Sequence, residues 1–222
     1  TPLAATLDDA DRLVAVAAQG GRVGYAENLV HSPTVVEAVA ACRRLGSLTH
    51  LELRFAQGRP DWGDHLEPSW GGGALFDLGV HAIALALLAA APARVTAAEA
   101  QLLAGAGLEL DDDATLTLAF DSGLRAEVRA TWRAPAPTWE TQAASPQGAV
   151  RLELVPHPSV EVNGVPVALT PPPPGLASPQ LLLDPLDQDL RAVRFGDIII
   201  GAEREADQLV GFLGLGRDHD DR

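Results

Sequence analysis

Asp77 and His81 stand four residues apart in GALFDLGVHAIALALLAAA, residues 73–91, and are the only ionisable groups of that apolar run. Four residues is about one helical turn, so a regular helix puts both side chains on one face. A buried polar group costs free energy unless it is paired. The two therefore either satisfy each other or line a cleft, where a carboxylate beside an imidazole suits proton transfer. Gly71, Gly72 and Gly73 precede them and let the backbone turn tightly and approach a ligand closely. The loop before, residues 58–72, carries Trp62, Asp64, His65, Glu67 and Trp70. Aromatic faces pack against sugar rings, so Trp62, Asp64, His65 and Trp70 are candidates for a sugar-binding wall, with packing inside the loop as the alternative. His65 with Asp64, Asp77 and His81 offers metal-ligand types. Nothing in their spacing fixes a metal site, and none is expected.

The bulk numbers narrow the chemistry. The 222 residues hold 16 basic and 30 acidic side chains, a net charge of −14. Every basic residue is Arg, which excludes a Schiff-base lysine, a lysine general base and a phosphate-loop lysine. The acidic balance argues against a nucleic-acid partner, which needs a basic footprint. A single Cys42 excludes an internal disulfide and a multi-cysteine metal site, and its apolar helical setting reads as core. There is no Met, even at position 1, so the expectation is a processed start or a beginning elsewhere. No basic segment followed by an apolar one opens the chain, and a cytoplasmic location is expected. Residues 73–91 are about long enough to span a bilayer. Charged groups at mid-span are expensive, so a buried helix is expected rather than a membrane segment.

The elements that must position these residues follow from periodicity and punctuation. Thr6 is a plausible N-cap with Asp9 three residues on, and Gly20-Gly21 ends that first helix. A short strand is expected at 22–26. Ser32-Pro33 opens a second helix to about Leu45, with Gly46 as its stop. Residues 49–57 alternate, with Leu51, Leu53 and Phe55 on one face and His50, Glu52 and Arg54 on the other, as a half-buried strand does. Period two continues after the apolar helix. Residues 114–120 and 124–132 form a hairpin over Asp121-Ser122-Gly123, 150–155 a strand, and 160–169 a hairpin over Asn163-Gly164. The proline run 171–174 reads as a spacer, residues 187–213 as helical, and the acidic tail with His219 as a solvated end. His50 and His157 read as exposed. The sum is an α+β fold: one open, largely antiparallel sheet with helices on one face. In the second arm of the first hairpin Leu124, Ala126, Val128, Ala130 and Trp132 share a face, with Arg125, Glu127 and Arg129 opposite. The sheet's outer face, polar in alternation, is nevertheless also expected to carry Trp132 and several arginines, so it could pair with a second subunit.

GGGALFDLGVHAI resembles the signature of the glucose–fructose oxidoreductase, inositol dehydrogenase and MocA family. PLAATLDDADRLVAVAAQGGRVGYAENLVHSPTV resembles that family's stretch between domains, and residues 46–57 the turn and first sheet strand that follow. The likeness is good over about residues 2–100 and weaker beyond. It implies a Rossmann domain followed by an open-sheet domain, of which residues 1–28 are the joining helix and strand and 29–222 the substrate-binding and oligomerisation domain. It implies NAD or NADP as cofactor and oxidation or reduction of a sugar, polyol or related hydroxyl compound. His81 would move the hydroxyl proton, and Asp77 would orient His81 or bind a hydroxyl. Tyr25 and Asn28, with Glu27 between them and His31 beyond, fall where the family builds the cleft between its domains. Tyr25 and Asn28 are the substrate contacts expected there, an Asn that caps a turn being the alternative. Two features depart from the pattern. The family's Glu-Lys-Pro lysine falls on Thr1, which cannot carry its charge. No strand–GxGxxG–helix unit exists in the 222 residues; Gly214-Leu215-Gly216 has no helix after it. The cofactor-binding domain is therefore expected outside this chain. Alternatives are a naturally truncated, non-redox member acting as ligand-binding, scaffold or partner subunit, and a cofactor-free acid/base enzyme using Asp77 and His81. Expected partners are a sugar-like molecule and either a second copy through the sheet face or a full-length homologue.

Overall fold

The computed structural model describes residues 4, 6–21, 27–61, 66–70 and 72–169. They fall into two units, one reaching residue 21 and the other starting at Glu27. The first holds helix α1, Leu7–Ala18. Its N-cap is Thr6, whose Oγ1 accepts from the Asp9 amide at 3.2 Å and donates to the Asp9 carboxylate at 2.8 Å. Asp8 and Asp9 in the first turn suit the positive end of the helix. Gly20, at φ 83°, turns the chain away as expected.

The second unit opens with a 3₁₀ turn, Asn28–His31, and helix α2, Pro33–Arg44. Pro33 sits in the first turn, Arg43 and Arg44 in the last, and Gly46 takes φ 78°. Strand β1, His50–Gly58, follows, with Leu51, Leu53 and Phe55 fully buried and Glu52 and Arg54 exposed. A π-helical turn, Leu75–Gly79, leads into α3, Val80–Ala90. Seven strands complete the unit: β2 Val95–Leu103, β3 Asp113–Phe120, β4 Arg125–Thr131, β5 Arg133–Ser145, β6 Gly148–Val155, β7 Ser159–Val162 and β8 Val165–Pro166.

The eight strands form one sheet in the order β2-β3-β4-β1-β5-β6-β7-β8. Only β1 and β4 run parallel. The crossover from β1 through α3, β2 and β3 brings the chain back beside β1 in the same direction, and β5 then returns along its other edge. Both predicted hairpins are present, with Gly123 at φ 86° in the first and Asn163 and Gly164 at φ 54° and 77° in the second. Two consecutive positive φ values make a type I′ turn, whose twist matches that of the strands.

Helices α2 and α3 cover one face of the sheet. Cys42 of α2 lies in that apolar layer, and burial pushes its thiol up to about 11. The opposite face is charged in alternation. Glu140 bridges Arg54 at 3.9 Å and Arg151 at 3.4 Å, and Arg129 meets Asp113 at 3.3 Å.

Three features correct the expectations. The apolar helix is not a regular α-helix, since its first part, containing Asp77, is a π turn. Trp132 is not on the open face; between β4 and β5 it is only 5% exposed and points its indole nitrogen at Asp77. Strands β2 and β5 were not anticipated. Edge strand β2 buries only Val95 and Ala98, so it shows no period-two pattern. Pro135 and Pro137 disguise β5, but they sit where its register against β1 breaks, and its pairing with β6 starts only at Trp139. Expectations for 22–26, 171–174 and 187–213 lie outside the described residues. No helix among the described residues is long and apolar enough to cross a membrane.

Candidate functional site

Gly73 starts the segment at φ +106°, a conformation L side chains rarely adopt. A Cβ there would collide with the Asp111 carboxylate, so glycine is needed for space as well. Asp111 holds the beginning of the π turn from outside. Its backbone oxygen accepts from the Ala74 amide at 2.9 Å and its Oδ2 from the Leu75 amide at 2.8 Å. Desolvation by burial raises the Asp111 carboxyl above the usual carboxylate range, against those hydrogen bonds. Gly79 closes the turn against the Leu75 side chain and the Ala130 Cβ, 3.6 Å from where its own would be. A π turn closes i to i+5 and so changes the phase of the helix. Asp77 lies inside this turn and His81 just after it, and the two side chains are held by different partners.

Each finds partners from elsewhere. Asp77 Oδ2 accepts from the Trp132 indole N–H at 3.0 Å and from Gln57 Nε2 at 3.4 Å. His81, in the first turn of α3, places Nδ1 2.7 Å from Glu27 Oε2. The side chain of His81 is 13% exposed and that of Glu27 only 2%. Glu27 Oε1 accepts from the Leu29 amide at 3.1 Å, so one carboxylate caps the 3₁₀ turn and meets the imidazole. Trp139 of β5 stacks on the His81 ring with centroids 5.9 Å apart, and on Phe55 of β1 at 5.0 Å. The Trp139 indole nitrogen is buried and has no hydrogen-bond partner among the described residues. The arrangement holds an imidazole by its Nδ1 and by its ring face, which leaves Nε2 as the nitrogen for proton exchange.

Of the other candidates, Asn28 opens the 3₁₀ turn beside Glu27 and is exposed. Trp70 closes the short 3₁₀ turn Pro68–Trp70. Tyr25, Trp62, Asp64, His65 and Thr1 lie outside the described residues. The sequence reading assigned no role to Glu27, Gln57, Trp132 or Trp139. Glu27 alone had a signal, its place beside Asn28; the other three lie on β1, on β5 and between β4 and β5, 20 to 58 residues from the side chains they meet, where spacing carries no information.

An open eight-stranded mixed sheet, covered on one face by helices and carrying Asp77 and His81 at the start of one of them, is the architecture of an oxidoreductase C-terminal domain. The GFO/IDH/MocA C-terminal domain matches residues 34–162, more than half of the chain, which therefore belongs to that family. Solved structures agree on the fold. The aldose-aldose oxidoreductase from Caulobacter crescentus complexed with glycerol is similar with a TM-score of 0.69 at 20% identity, over 92% of this chain and 69% of that one. GenD2 from gentamicin A biosynthesis, in complex with NAD, gives 0.68 at 20% identity, over 96% and 66%. An oxidoreductase domain protein from Kribbella flavida gives 0.64 at 18% identity, over 73% of this chain and 49% of that one. The chain thus matches about half the length of that structure. No curated protein sequence matches it.

The described residues do not fit a dinucleotide. The helix that follows a strand and a glycine run is α3 with its π turn, and its leading amides, Ala74 and Leu75, already donate to Asp111. A pyrophosphate would have to displace the Asp111 carbonyl oxygen from the Ala74 amide and its carboxylate from the Leu75 amide, whereas a phosphate site needs those N–H groups open.

Proposed function

We propose that this chain is the substrate-binding half of an NAD(P)-dependent oxidoreductase acting on a sugar, polyol or related hydroxyl compound. The observation that carries the reading is His81, held at Nδ1 by Glu27 at 2.7 Å in a domain of this family. Its Nε2 takes the proton of the substrate hydroxyl as hydride leaves the same carbon, and the carbinol becomes a carbonyl. In the reverse direction His81 returns the proton. A nicotinamide held by other polypeptide supplies the hydride chemistry when bound. Asp77 anchors the start of α3 to β1 and to the β4–β5 corner through Gln57 and Trp132, which keeps His81 in place. Asn28, Tyr25, Trp62, Asp64, His65 and Trp70 are the proposed substrate contacts. The same reading includes self-association through the charged sheet face.

The test is an assay of the protein, together with the polypeptide that holds the nicotinamide, with NAD⁺ or NADP⁺ against a panel of aldoses and polyols. Nicotinamide reduction is expected with at least one of them, and His81→Asn should lower kcat by about 10²- to 10⁴-fold. Substrate conversion without nicotinamide reduction would instead establish a cofactor-free acid/base enzyme. Sugar binding without turnover would establish a ligand-binding subunit.

A further inference from the structure

We infer that Glu27 is the positioning residue of this site: its carboxylate sets His81 in the Nδ1–H tautomer and leaves Nε2 as the proton acceptor. The inference rests on the role proposed above for His81. Each imidazole nitrogen has one in-plane hydrogen-bond position. That of Nδ1 is filled by Glu27 Oε2 at 2.7 Å, a length typical of a charge-assisted bond. An ionised carboxylate only accepts, so Nδ1 carries the proton and, on the neutral ring, Nε2 is bare.

The surroundings restrict the alternatives. Glu27 is 1% exposed, so water competes little for its oxygens. Its other oxygen is held by the Leu29 amide at 3.1 Å, which resists rotation of the carboxylate away from the ring. Trp139 stacks on the imidazole and fixes its plane. Asp77 cannot hold Nδ1, because Glu27 already occupies that position. A turn cap alone does not explain a buried Glu. Ser, Asn or Asp would cap the turn with a shorter side chain, and burying a carboxylate is costly unless it is paired. The His81 pairing is what compensates that cost.

The experiment is ¹⁵N NMR of the histidine rings in the full chain, at a pH where the His81 ring is neutral. The variants are Glu27→Gln and Asp77→Asn, with His81 signals assigned by their loss in His81→Asn. In the wild type, Nδ1 should be the protonated nitrogen. Glu27→Gln keeps an oxygen for the Leu29 amide but adds a donor, so both tautomers should appear while the backbone amide spectrum stays folded. Asp77→Asn should leave the tautomer unchanged. Nε2–H as the major wild-type form, or a tautomer that responds to Asp77→Asn and not to Glu27→Gln, overturns the assignment. Should Glu27→Gln not fold, the wild-type and Asp77→Asn spectra still decide. In the activity assay Glu27→Gln should lower kcat by about 10²-fold or more with little change in KM, as expected when an imidazole adopts the wrong tautomer. Failure of the wild type to oxidise any hydroxyl compound would remove the oxidoreductase reading, and the ring spectrum would still judge Glu27.

Discussion

Asp77 and His81 are four residues apart, yet each is held by a partner from a distant segment. His81 meets Glu27 across 54 positions of chain, and Asp77 meets Trp132 across 55. For Asp77 this has a measurable consequence. Asp77→Ala takes an acceptor from the Trp132 indole N–H, whose residue is only 5% exposed. The expected loss is about 1–3 kcal/mol, read by urea unfolding. Asp77→Asn keeps a carbonyl oxygen at that place and should lose clearly less. Equal losses would mean that the charge of Asp77, and not its hydrogen bond, is what matters. At this scale the sequence showed which residues were out of place in an apolar run. It did not show their partners, because a carboxylate and an imidazole at helical spacing look self-sufficient until the segments that pack against them are known.

Two glycines and one carboxylate decide the shape of the element that carries the site. Gly73 takes a positive φ where Asp111 leaves no room for a Cβ, and Asp111 in turn binds the first amides of the π turn. Gly73→Ala should therefore cost about 1–3 kcal/mol from backbone strain alone. It should also displace Asp111 from the Leu75 amide and misplace Asp77 and His81. Thermal unfolding measures the first effect, and kcat under saturating substrate the second. Unchanged stability would refute the strained turn. The glycine run was legible as a place where the backbone does something unusual, but the π turn was not. Apolar periodicity over residues 73–91 reads the same with or without one widened turn, because nearly every position is apolar. Strands show the same division. The hairpins at Asp121-Ser122-Gly123 and Asn163-Gly164 were legible because turn chemistry is local. Strand β5 was not, because Pro135 and Pro137 argue against a strand until the register break that accommodates them is seen.

At the scale of the molecule, the sheet has a helix-covered face and a charged one. Correcting Trp132 to the covered side removes the one large aromatic expected outside and leaves a surface of paired Arg and Glu. A second copy would meet a flat face carrying both signs, with Glu140 between Arg54 and Arg151 near its middle. Glu140→Arg places three like charges together there and should weaken self-association at least about tenfold, as followed by sedimentation velocity. Salt should weaken the wild-type association in the same experiment, since exposed charges are screened. Arg12→Glu on α1 is the control and should have no effect. A wild-type chain that sediments as a monomer at all concentrations would remove the proposal.

The sequence by itself determined the class of fold and singled out Asp77 and His81 as the two residues proposed to form the site. Alternation, turn glycines and an apolar helix interrupted by Asp77 and His81 are local patterns, set by the strand period, by φ and by the cost of burying charge. Tertiary structure decided which groups these residues bind. It chose Glu27 for the imidazole, Trp132 and Gln57 for the carboxylate, and Trp139 for the ring face. Those choices depend on where a parallel crossover returns the chain and on what packs against the π turn and α3. Both are set by packing over the whole sheet, and no short stretch of residues encodes them.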